Sequence, residues 1–107
     1  MINKLKIGWK IYDVVEKEPN GDLIMGGDLC YGKIQHDERK IFINSSYDAA
    51  QKITTLIHEA IHGIEDLMNL ELEEKQVSAM ANGIATLIAD NPQLIKEFKT
   101  LYKSASE

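Results

Sequence analysis

The sequence predicts an α+β domain in which a small sheet of three or four antiparallel strands precedes three helices. Two observations carry this. The first 45 residues hold short β-type runs punctuated by Gly, Asn and Asp, and from Ser45 onward apolar residues recur three and four apart. Strands gathered ahead of helices read as α+β. With 107 residues the chain has length for one modest core and one domain, spanning 1–107.

In order, "KIGWKIYDVV" opens the strand region and "PNGD" at 19–22 supplies a turn. Next, "LCYGKIQ" and "KIFIN" flank "HDER", which predicts a hairpin over about 29–44. A first helix is expected over about 47–69, capped by Ser45, Ser46 or Asp48, with Ile53, Leu56, Ile57, Ala60, Ile64 and Leu67 on its apolar side. A second follows "NLELEE" over about 72–90, with Val77, Met80, Ala81, Ile84, Leu87 and Ile88 on one face. It stops near "DNP", because the residue before Pro92 is disfavoured in a helix. A last helix over about 92–103 starts with Pro92 in its first turn, where the missing N–H costs little.

Composition removes several functions. Twelve basic residues face seventeen acidic ones, Arg39 is the one arginine and the lysines are scattered, so a phosphate-backbone partner is not expected. No apolar run approaches the roughly 18–20 residues that cross a bilayer. Lys4, Lys6 and Lys10 break up the N-terminal apolar residues, so a signal peptide is not read there. Cys30 stands alone, which excludes an intrachain disulfide, fits a cytoplasmic location and reads as a small, half-buried apolar residue.

Chemistry concentrates in "TTLIHEAIHG", residues 54–63. At about 100° per residue, His62 lies about 40° around the helix from His58 and one turn along it, so both imidazoles can reach one ion. The expected apolar side is centred about 200° from His58, pointing the histidines away from the main core contact. Glu59 lies about 60° from His62, placed to take a proton from a water on that ion without ligating it. By composition alone, this His-Glu-x-x-His spacing arises by chance roughly once in a hundred such chains. Zinc accepts neutral imidazole, keeps one open position in catalytic sites, and lowers the pKa of its water toward about 7.

A third ligand is required. Glu65 and Asp66 share the histidine stripe, but they stand about 10 and 12 Å along the axis from His58, so roles in orienting an imidazole N–H suit them better. Glu73 and Glu74 open the second helix and border the apolar face that packs on the first, so either can look inward while the other favours the helix start. Glu71 also qualifies if the turn tightens.

The stretch "TTLIHEAIHGIEDLMNLELEEKQVSAMANGIATLIADNP" resembles small phage and prophage metallopeptidases of the zincin superfamily, similar to the ImmA/IrrE-type and compact gluzincin-like proteins. "YGKIQHDERKIFIN" resembles their strand region, and the likeness covers roughly 29–93. It implies a zincin-like fold, with the sheet packed on the active helix. It also implies zinc on His58 and His62, Glu59 as base, and a third ligand from the following helix. A Glu three positions before a helical Val points to Glu74, ahead of Val77, with Glu73 as runner-up; Met80 occupies the place where the ImmA-like pattern has Glu before "AN". The implied activity is zinc-dependent hydrolysis of peptide bonds in an intracellular protein or peptide substrate. The alternative is a non-catalytic interaction or regulatory protein that keeps the scaffold. Extended substrates of zincins pair with a sheet edge, and "KIFIN" is the candidate edge, its placement as an internal strand weighing about evenly. Tyr31 is a candidate oxyanion donor set against a simple packing role, and His36 reads as a solvated loop residue.

Overall fold

Gly8 takes a φ of 62°, a left-handed conformation open to glycine, and this turns β1 (Lys4–Ile7) back along β2 (Lys10–Lys17) as an antiparallel hairpin. The computed structural model describes residues 1–25 and 28–106. After a 3-10 turn at Gly21–Leu23 come a short ladder of β3 (Ile24–Met25) and β4 (Asp28–Leu29), then the hairpin of β5 (Gly32–Gln35) and β6 (Lys40–Asn44) expected from the sequence.

The main sheet runs β1-β2-β6-β5, and it is mixed where an antiparallel sheet was expected, because β2 and β6 pair in parallel from Asp13↔Lys40 to Lys17↔Asn44. A parallel pair needs a return path, and β5 supplies it: Gly32 starts near the level of Lys17 beside the end of β6, and β5 runs back to the Gln35↔Lys40 end from which β6 sets out parallel to β2. "KIFIN" is therefore not an edge. Ile41, Phe42 and Ile43 are all buried, as befits a strand covered on both faces, and β5 and β1 form the edges.

Ile7, Tyr12, Val14, Ile41 and Ile43 meet Leu56 of α1 (Ala49–Met68) in the main core, each large side chain gaining roughly 1.5–3 kcal/mol from burial. Asp48 caps α1 by accepting from the Gln51 N–H at 2.8 Å, and Asn69 closes it in the left-handed region at φ 56°. The helix is rotated relative to the expected apolar stripe. Ile53 and Ile64 are exposed, whereas Thr55, Glu59 and Gly63, successive residues four apart, are buried. Close approach explains the rotation. A Cβ on Gly63 would stand 2.5 Å from Ile7 Cδ1, and one on Gly32 would stand 2.6 Å from Thr55 Cγ2, so the smallest row of the helix meets the sheet.

A second cluster joins Ile61 of α1 to Val77 and Ala81 of α2 (Glu74–Asp90). Met80, Leu87 and Ile88, expected on the same packed face, are exposed at 46%, 51% and 40% because α1 covers only the N-terminal half of α2. α3 (Pro92–Ser106) starts at the expected proline and packs on α2. Among the described residues no helix is long and apolar enough to cross a membrane.

Gly32→Ala tests this close approach. The new methyl meets Thr55 Cγ2 at 2.6 Å and the Phe42 carbonyl oxygen at 2.8 Å, so urea denaturation should show a loss of about 1–3 kcal/mol. Gly21→Ala, with nothing within 4 Å, should stay within about 0.5 kcal/mol of the parent.

Candidate metal centre

His58 and His62 sit one turn apart on the flank of α1, ring centroids 5.1 Å apart, and both turn Nε2 toward Glu74, the first residue of α2. Glu74 Oε1 lies 2.5 Å from His58 Nε2, and Glu74 Oε2 lies 3.1 Å from His62 Nε2. One ligand atom from each residue falls within 4.8 Å of the others, so these three side chains could hold a divalent cation. Two donors held about 2.0–2.2 Å from a tetrahedral ion stand roughly 3.3 Å apart, a spacing that the His62–Glu74 pair already approaches. Glu74 has 67% of its side chain exposed and so has freedom to open its shorter contact with His58.

The turn between the helices delivers Glu74, and Glu65 holds that turn. Its Oε2 accepts from the Leu72 N–H at 2.9 Å, while its Oε1 lies 2.7 Å from His62 Nδ1. For His62 to ligate through Nε2, the ring proton must sit on Nδ1, where Glu65 accepts it and fixes the ring. The Leu72 N–H foremost, and then the imidazole, hold the Glu65 carboxyl below the usual carboxylate range. Glu73 is the N-cap of α2, its own N–H donating to Gln76 Oε1 at 3.0 Å, and it stands outside the cluster, as does exposed Glu71. Asp66 turns aside to Lys10 Nζ at 2.6 Å and does not orient an imidazole of the pair.

Glu59 is only 6% exposed, lying between α1 and β5 with its Cγ facing Gly32. Burial pushes its carboxyl up to about 7; the neighbouring His62 opposes the rise and Glu74 adds to it. The cleft beside it encloses about 810 Å³, walled by β5 on one side and by Thr54, Ser78 and Asn82 of α1 and α2 on the other. Chemically, the arrangement sets three side chains that could hold a cation beside a carboxyl that exchanges its proton near neutrality and an adjoining cleft, the parts that hydrolysis uses.

Other expected positions fall differently. Tyr31 lines the cleft, but its ring packs on Tyr47 with centroids 4.6 Å apart. Cys30 is half-buried, as expected, on the cleft wall. His36 is not the freely solvated loop residue expected. Its Nδ1 lies 3.4 Å from the Tyr12 hydroxyl and 4.0 Å from Asp66, and its ring also borders the cleft. The polar wall of Thr54, Ser78 and Asn82 went unnoticed in the sequence, where each reads as an ordinary helical polar residue. Compared with known proteins, the chain matches no protein-family model, no curated protein and no solved structure.

Two measurements follow from this geometry. Because the folded Glu59 holds its proton up to about 7 against 4.5 unperturbed, its contribution is intact below 4.5 and is lost as pH rises through 7. In chelator-treated protein, Glu59→Gln should therefore raise stability at pH 8 by up to about 3 kcal/mol and change it little at pH 4.5, as read by thermal melts. Glu65→Ala should weaken zinc binding about 10–100-fold in a competition titration, with helical content retained.

Proposed function

We propose that this chain is a zincin-like, zinc-dependent metallopeptidase that hydrolyses peptide bonds of an intracellular protein substrate. One observation carries the reading: His58, His62 and Glu74 converge beside Glu59, a buried carboxyl pushed up to about 7 and so able to take and give a proton near neutral pH. Imidazole and carboxylate donors in this number suit zinc with an open position. When bound, zinc supplies Lewis acidity, polarising the scissile carbonyl and lowering the pKa of water at the site.

The remaining work belongs to the protein. His58, His62 and Glu74 hold the cation, and Glu65 keeps the His62 proton on Nδ1 so that Nε2 is available. Glu59 accepts a proton from the attacking water and hands it to the departing amine, a role favoured by a pKa close to working pH. Along β5, whose described pairing is with β6 on one side, an extended peptide can add as a further strand and bring its carbonyl over the cleft. Gly32 keeps that strand within reach of Glu59.

Reconstituted protein should bind about one zinc per chain by elemental analysis, with Glu74→Gln binding it more weakly. Glu59→Gln should keep the metal and lower turnover of a fluorogenic peptide library about 10²–10⁴-fold. Failure of the parent chain to bind zinc would sink the reading. Zinc binding without cleavage of any library peptide would move it to the non-catalytic scaffold.

A further inference from the structure

α3 is a cleanly amphipathic helix whose apolar side has little to cover it. Leu94, Phe98, Leu101 and Tyr102 share one face, and they are exposed by 39%, 52%, 68% and 64%. The rings of Phe98 and Tyr102 stack within 6° of parallel at 5.3 Å, forming an ordered aromatic plate on the outside of the molecule. Leu87 and Ile88, exposed by 51% and 40%, lie in the last turns of α2, the helix against which α3 packs. The molecule is drawn out to 46 × 29 × 26 Å.

We infer that this surface is a homodimer interface, in which α3 of each copy seats on the end of α2 of the other and the four helices close a shared core. Six half-exposed side chains offering roughly 200 Å² apiece amount to about 600 Å² per copy. That is at the top of what a monomer ordinarily leaves open, and two such faces reach about 1,200 Å², the lower bound for a specific interface. A two-fold axis pairs a patch with its own duplicate, so a single self-complementary face suffices.

Charge favours a second copy over other occupants. Residues 92–106 carry three lysines and one glutamate, a net of +2, whereas residues 1–91 carry nine basic and fifteen acidic residues, a net of −6. Two copies of net −5 repel overall, and the opposite signs of α3 and the body offset part of that repulsion where α3 of one copy meets the body of the other. The net charge of the whole chain, −5, repels anionic lipid and nucleic acid.

The test is sedimentation velocity on the full chain between about 1 and 200 µM. The expected result is a shift to twice the chain mass of 12.1 kDa, with Phe98→Glu and Leu101→Glu each weakening dissociation constants at least ~30-fold at unchanged helical content. Lys96→Glu with Lys99→Glu should weaken it too, and Ile11→Glu, on exposed β2 surface, should leave it unchanged. A chain monomeric across the range overturns the inference, whether or not it binds phosphatidylserine vesicles. So does a dimer that survives both apolar-face variants or is lost only in Ile11→Glu.

Discussion

The close seating of one helix, through Thr55 and Glu59, on a strand glycine governs the shape of this molecule. Because Gly32 has no side chain, α1 settles onto β5 with Thr55 and Glu59 pressed against the strand. Gly63 does the same two turns away from Thr55, over Ile7. The cost of this seating is a carboxyl taken out of water, which in low dielectric keeps its proton to higher pH. The benefit is positional. The row that meets the sheet leaves His58 and His62 on the neighbouring flank of the helix, at the rim of the cleft with neither fully buried.

Acidic residues near this rim illustrate how one side-chain chemistry is divided by environment. Glu59 is buried and proton-retaining. Glu65 is tied to a backbone N–H and an imidazole and stays ionised. Glu73 ends as a helix cap, and Glu74, one residue further, faces the histidines. The last distinction follows from helix geometry, in which successive residues point about 100° apart, so only one of two adjacent glutamates can look toward α1. Glu65 couples the arrangement by joining the His62 ring to the turn that carries Glu74.

Features set by neighbours a few residues apart were legible in the sequence. The histidine spacing, the stop at Pro92 and the β5–β6 hairpin all depend on local chain geometry and are found where expected, and the cap of α1 is Asp48, one of the three residues the sequence offered. Periodicity favoured Glu73 and Glu74 as inward-facing while leaving Glu71 open, and resemblance favoured Glu74, the one that the fold brings to the histidines. Strand order was not legible, because the local pattern of β2 does not state whether it neighbours β5 or β6. The unbroken Ile41-Phe42-Ile43 run was the available signal for an internal strand. The rotation of α1 escaped for a different reason. Periodicity weights bulk, so it selected Ile53 and Ile64, whereas seating on the sheet was decided by the absence of bulk at Gly63 and Gly32. His36 escaped because a hairpin loop reads as solvent-facing until Tyr12 and Asp66 are brought to it.

The parallel seam between β2 and β6 also orders events during folding. Joining these strands requires the chain between them to close a long loop, an entropic cost met before any pairing repays it, and such non-local topology slows folding. The imidazole pair, by contrast, is assembled as soon as one helix forms, on a timescale of about a microsecond. A nascent chain therefore holds the two imidazoles side by side before it possesses the dry niche of the neighbouring carboxyl, and the docking of α2 brings Glu74 to a pair already formed.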